Sequence, residues 1–184
     1  MVSNDLSAYL SQRFEQMLRW DSHRLTVEKL KWYASHIEQQ GGGDIVWGYV
    51  DGTLQQICRP TLHQRMYYSG HKHRHGFKFQ AVITPDGLFS SLFGPVVGSR
   101  GDWYLFQQSG IEMDIKKLFD DANIPEEERL YIYGDPAYTG SSAIMKAYKR
   151  SQKDQLTAAR KKFNKKMSRK QMSVKHRFEF VQKY

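Results

Sequence analysis

The run Ile45–Thr53, IVWGYVDGT, constrains this chain more than any other stretch. It is apolar and rich in β-branched and aromatic residues, and it stops at Asp-Gly-Thr, so it reads as a buried strand that carries Asp51 to its C-terminal tip. Gly52 then lets the chain turn and leaves the carboxylate facing open space. A second run, Leu130–Tyr138 (LYIYGDPAY), repeats the design with an apolar strand, Gly134, Asp135 and a proline that ends ladder pairing. Side by side, the two strands would bring Asp51 and Asp135 together as a hard, oxygen-rich site suited to Mg²⁺ or Mn²⁺.

With 184 residues the chain can bury one sizeable core but not two comfortable ones. No apolar run approaches the roughly 20 residues that span a bilayer, so no membrane partner is expected. The start, MVSNDLSAYLSQRF, lacks the basic-then-apolar order of a secretory signal, and a lone Cys58 excludes an internal disulfide framework. An intracellular protein is expected. The net charge of +9 is unevenly placed: Lys146–Tyr184 holds 14 Lys and Arg against two acids, or +12, and the rest of the chain carries −3. A basic segment of that kind suits a polyanion, nucleic acid being the commonest, or is simply a solvated face.

Leu6, Leu10, Phe14, Met17 and Leu18, and then Leu30, Trp32, Tyr33 and Ile37, recur at helical spacing, which predicts two amphipathic helices within Asp5–Gln40, broken near Asp21-Ser22. Gly41–Gly43 ends the second. After the Asp51 strand, Gln80–Thr84 and Leu88–Phe93 flank the turn signal Pro85-Asp86-Gly87, making a hairpin and hence a three-stranded meander. A helix is expected over Trp103–Ser109, with Asp102 as its N-cap or as an acid lining a site. Beyond the Leu130 strand, a helix over Ala143–Lys149, a short strand over Leu156–Ala159, a basic loop over Arg160–Arg169 and a closing helix over Gln171–Tyr184 complete the reading. This element order is that of a ribonuclease-H-like α/β domain, a mixed sheet of about five strands flanked by helices. Residues 1–42 form a helical extension and 43–184 the domain proper.

Phosphodiester cleavage with two metal ions needs carboxylates that hold the ions about 4 Å apart. Asp51 is suited to bridge both and Asp135 to hold one, with a third acid expected from a helix packed across the strand ends. Asp-Gly is also an ordinary turn pair, so the two motifs taken alone leave turn chemistry and metal ligation both open.

Further blocks narrow the choice. DGT, Tyr-Ser-Gly-His-Lys, Pro-Asp-Gly, Gly-Pro, Gly-Ser-Arg-Gly-Asp, Gly-Asp-Pro-Ala-Tyr and Ser-Arg-Lys-Gln follow one another from Leu25 to the C-terminus, and in this order the chain resembles the transposase domain of PIF/Harbinger-type elements and their domesticated nuclease relatives. The resemblance implies a ribonuclease-H-like fold and a three-acid, divalent-metal site for DNA cleavage and strand transfer, with Asp51 as first acid and Asp135 as second. It implies a nuclear protein that contacts DNA mainly through phosphates. Sequence reading of the DNA would fall to a separate recognition protein or helix-turn-helix, and oligomeric state is left open.

Two departures from the family pattern bear on chemistry. Lys175 stands where the third acid is expected, replacing a ligand by a cation-repelling ammonium. Glu179, one turn further on, is the nearest substitute. Gly101 precedes Asp102 where the family has His, which leaves Asp102 as an auxiliary acid. Within SGHKHRHGFK, His71, His73 and His75 make a poor zinc site, because histidines alternating on a strand share a face but no cysteine or acid completes the tetrahedron. Lys72, Arg74 and Lys78, with His71, are instead candidates to meet phosphates, as are Lys161, Lys162, Lys165, Lys166, Arg169 and Lys170. Three functions remain: a working nuclease, a non-catalytic nucleic-acid-binding or assembly module that kept the fold after losing the acid, and a generic basic domain with no link to metal chemistry.

Overall fold

Strand β1, Val46–Gln56, is the axis of the molecule. The computed structural model describes residues 2–138, 140–148 and 156–183, with the side chains of 2, 3 and 173–183 excepted. Strand β1 pairs antiparallel with β3 (Arg74–Ile83) over Tyr49↔Ile83 to Gln56↔Gly76, and parallel with β5 (Tyr131–Gly134). Strand β4 (Phe89–Val97) lies outside β3, and β6 (Ile144–Lys146) outside β5. The order β4-β3-β1-β5-β6, antiparallel on one side of β1 and parallel on the other, is the mixed sheet expected of a ribonuclease-H-like fold. A two-residue strand, β2 (Tyr68–Ser69), continues the β4 edge beside Arg74 and His75.

Residues of β1 alternate between the two faces, with the alternation shifted at the register irregularity between Val46 and Gly48, and each face has its own core. On one, Trp47 and Val50 meet α2 (Val27–Gln39), α4 (Asp102–Ser109) and α5 (Ile111–Asp121) through Leu30, Tyr33, Phe106, Ile111, Ile115 and Phe119. On the other, Tyr49, Ala81, Ile83 and Tyr133 are covered by Met167 and Phe163 of α6 (Ala158–Lys183). Helix α2 is N-capped by Thr26, whose side chain accepts from the Lys29 amide. Helix α1 (Val2–Arg19) leaves Leu6, Leu10 and Phe14 exposed. A short helix, α3 (Gln64–Tyr67), precedes β2. No described helix is long and apolar enough to cross a membrane.

The hairpin and the two N-terminal helices fall where the sequence places them, but the last third differs. The segment read as a helix over Ala143–Lys149 contains β6 instead, and Lys149 lies outside the described residues. The open edge of β5 needs hydrogen-bond partners, and Ile144 and Ala147 bury on opposite faces as strand residues do. No strand forms over Leu156–Ala159: Ala158 and Ala159 open α6, and the expected basic loop over Arg160–Arg169 lies wholly within that helix. Thr157 accepts from the Arg160 amide as its N-cap, while Phe163, Met167 and Gln171, four residues apart, form the stripe that faces the sheet. Charge on the exposed side does not oppose a helix when Ala, Lys and Arg are good helix formers. Helix α5 was not anticipated, although Ile111, Ile115 and Phe119 carry the same four-residue spacing.

Candidate functional site

Strand β1 does not end at Asp51. It continues to Gln56, and Asp51 pairs with Ala81 in mid-strand, 4 % exposed. What ends there is the parallel ladder: Val50 pairs with Gly134, the last residue of β5, so Asp51 and Asp135 occupy the next register position. Alternation puts both on the α6 face, with Tyr49 and Tyr133 preceding them on that face. Asp135 opens a tight turn in which its Oδ1 accepts from the Ala137 amide at 2.8 Å and its carbonyl from the Tyr138 amide at 3.1 Å. The Asp51 Oδ1 accepts from the Gly52 amide at 3.0 Å.

Gly52 is therefore not a turn residue. Its hydrogen faces the opposite side of the sheet, where a Cβ would lie 2.8 Å from Asp102 Oδ1 and 2.9 Å from its Cγ. The glycine makes room for the Asp102 carboxylate against the strand. Asp102 does not cap α4 either: Gly101 is the N-cap, and Asp102 is the first helical residue. Its Oδ1 accepts from Lys78 Nζ at 2.8 Å, in an ion pair whose side chains are 13 % and 24 % exposed.

Asp51, Asp102 and Asp135 together line a cleft of about 460 Å³, which is closed on another side by His71, Lys72 and Arg74. His71 and Lys72 come from the β2–β3 connection, and Arg74 opens β3. That connection is a turn rather than a strand: His73 has left-handed backbone (φ 53°), and β3 begins at Arg74. The alternate-face argument for the histidines thus does not apply to His71 and His73. Arg74 donates to Gln56 Oε1 at 2.9 Å, and the Lys72 amide donates to Ser69 Oγ at 3.3 Å. Lys78, expected to meet phosphate, is turned to Asp102 instead.

None of the described α6 cations lines the cleft. Lys161, Lys162, Lys165, Lys166 and Arg169 are exposed, while Lys170 is half-buried, donates to Gln40 Oε1 at 2.9 Å and has its pKa lowered by burial and by Lys166. The side chains of Lys175 and Glu179 lie outside the described residues.

Two side chains that the sequence reading did not single out complete the site. Tyr138 is fully buried, with its ring against Gly134 and edge-on to Phe106. Among the described residues its hydroxyl has no hydrogen-bond partner, and its pKa is pushed well up by burial and then by Asp102, Asp51 and Asp135. Gln171, 4 % exposed, donates to the Val50 carbonyl at 2.9 Å and fixes α6 against β1 one residue before Asp51. The last Tyr of LYIYGDPAY was a visible signal for the first. The Phe163, Met167, Gln171 spacing was the signal for the second.

These residues suit a hard cation in part. Asp51 and Asp135 are paired carboxylates in adjacent register, and the orphaned Tyr138 hydroxyl is a polar atom awaiting a partner. Among the described residues, however, no group of three or more His, Cys, Asp or Glu side chains gathers as a metal site. Asp102, the third acid of the cleft, comes from the other face of the sheet and is held by Lys78.

The family model of the DDE superfamily endonucleases matches residues 50–184. No curated protein and no solved structure matches the chain. The matched span opens one residue before Asp51 and contains Asp102, Asp135 and the β2–β3 turn, so that every residue lining the cleft falls inside it: the chain belongs to the DDE superfamily endonucleases.

Proposed function

We propose that this cleft is the divalent-metal centre of a nuclease acting on DNA phosphodiester bonds, in a transposase-derived domain of the PIF/Harbinger type. The observation that carries the reading is that Asp51 and Asp135, each next after the last β1–β5 pair Val50↔Gly134, line one cleft. The order of motifs from DGT to Ser-Arg-Lys-Gln supports the narrower family. In this reading residues 43–184 are the nuclease domain and 1–42 its helical extension, acting in the nucleus beside a separate DNA-recognition protein.

Asp51 and Asp135 would hold Mg²⁺ or Mn²⁺. When bound, the ion supplies charge for the phosphoryl oxygens and lowers the pKa of an attacking water or 3′-hydroxyl. The protein's own groups do the rest. Asp51, almost fully buried on a paired strand, keeps its carboxylate in one place without further ordering cost. Lys72, Arg74 and His71, on the exposed wall, meet the phosphates on either side of the scissile one. The exposed cations of α6 extend that contact along the backbone, which gives affinity without base reading. Asp102 acts as an auxiliary acid, and Glu179 is the substitute third ligand.

A second reading has its own support. Lys175 stands at the expected third acid, and Asp102 is neutralised by Lys78. A module that binds DNA without cutting it would keep the fold and the basic surface and need no third carboxylate. Plasmid cleavage in Mg²⁺ or Mn²⁺ separates the two, using wild type, Asp51→Asn and Lys175→Glu. Activity in the wild type that Asp51→Asn abolishes supports the nuclease. Activity only in Lys175→Glu supports the non-catalytic module, and folded protein with neither activity nor Mn²⁺-dependent thermal stabilisation overturns the metal centre itself.

A further inference from the structure

Lys78 lies on β3, cross-strand from Leu54, and alternation places it on the same face of the sheet as Gly52 and Gln80. Its ammonium reaches Asp102 at 2.8 Å, and with 13 % of the side chain exposed it is largely withdrawn from solvent. Asp102 lines the cleft that Asp51 and Asp135 line, and it presses on Gly52, the residue after Asp51. The three acids thus meet at one cleft, and the Lys78 ammonium sits on one of them.

An ammonium and a divalent cation compete for the same carboxylate, because each gains from the charge that the other neutralises. We propose that Lys78 is a tethered cation within the site: by holding Asp102 it withholds the third carboxylate of the cleft, so that a divalent ion at Asp51 and Asp135 binds against the Lys78–Asp102 ion pair. The inference rests on the metal-centre reading above and adds to it a residue that sets the ion's affinity. It also accounts for a cleft with three acids in which no three-ligand group is formed.

Mn²⁺ binding to the full chain, followed by electron paramagnetic resonance of the free ion, tests this without relying on cleavage. Lys78→Met is expected to bind Mn²⁺ roughly tenfold tighter than the wild type, the scale on which one neighbouring charge changes a carboxylate's cation affinity. In an Asp102→Asn background the same substitution should tighten binding by a clearly smaller factor, since no carboxylate is left to release. Lys78→Arg should bind as the wild type does. Should the methionine variant not fold by circular dichroism, Lys78→Gln is expected to shift affinity in the same direction. An equal factor in both backgrounds, or no tightening while wild-type binding still depends on Asp51, overturns the role of Lys78 alone. Absence of Mn²⁺ binding in wild type and Lys78→Met alike overturns the metal centre with it.

Discussion

Gly52→Ala tests the closest packing in the cleft. The added methyl would lie 2.8 Å from Asp102 Oδ1, 2.9 Å from Cγ and 3.4 Å from Oδ2, short of ordinary carbon contact by roughly 0.6 Å. The carboxylate has little freedom to retreat, since it belongs to the first residue of α4 and is bonded to Lys78 at 2.8 Å. Disturbing a partly buried, charged hydrogen bond costs about 1.5–3 kcal/mol. Replacing a strand glycine returns about 0.5–1 kcal/mol through the unfolded chain. The net expectation is a loss of about 1–2 kcal/mol, which for a chain of this length lowers Tm by about 2–8 °C. Thermal unfolding followed by circular dichroism measures it, and the informative comparison is with Asp102→Ala. In that background the obstacle is gone, so Gly52→Ala should become neutral or stabilise by about 0.5–1 kcal/mol. An equal loss in both backgrounds would refute the reasoning, because the glycine would then serve the strand and not Asp102.

The remaining expectations follow from single contacts. Tyr138→Phe removes a buried hydroxyl that has no partner, so the metal-free protein should be unchanged or gain about 1 kcal/mol in chemical denaturation; a clear loss would mean that the hydroxyl is already satisfied. Gln171→Ala deletes the donor to the buried Val50 carbonyl and should cost about 1–3 kcal/mol in the same assay. Burial raises the Asp86 pKa, but hydrogen bonds from Thr84, Tyr33 and the Leu88 amide, with the Arg24 charge, outweigh it and hold the value below the usual 3.8. The stability from this group is therefore complete above about pH 4 and lost as pH falls through the depressed value, and Asp86→Asn should flatten that acid limb in pH-dependent unfolding. Glu179→Gln, compared with wild type in Mn²⁺ titration, should weaken binding if Glu179 supplies a ligand, and an unchanged affinity removes it from the site.

How far the sequence speaks differs along the chain for physical reasons. The antiparallel half was legible because β1 and the β3–β4 hairpin carry their own signals, β-branched runs and Pro85-Asp86-Gly87, within a few residues of one another. Strand β6 was not, since three residues at the edge of β5 are fixed by a partner far away in the chain, and Ala143–Lys146 alone suits a helix as well. In α6 the cations drew attention from the stripe Phe163, Met167, Gln171 beneath them. The convergence of Asp51 with Asp135 was legible as two strand motifs. The pairing of Lys78 with Asp102 was not, because each residue has a stock local explanation, a phosphate-binding lysine and a helix cap, and only the fold brings the two together.

The sheet's two faces decide what each acid can do. Asp51 and Asp135 follow Tyr49 and Tyr133 on the face that α6 covers, whereas Gly52, Lys78 and Asp102 belong to the face of α4. An ion held by the first pair is reached most directly by a residue of α6, and Gln171 fixes that helix at Val50, immediately before Asp51. Position 175 follows one turn later, about 6 Å along the axis, and position 179 about 12 Å. Position 175 is thus the next turn of α6 after Gln171, and it is there that the sequence carries a lysine in place of the expected third acid. Asp102 comes to the cleft from the α4 face, and Lys78 holds it there. A divalent cation that drew on this carboxylate would have to displace the Lys78 ammonium from it.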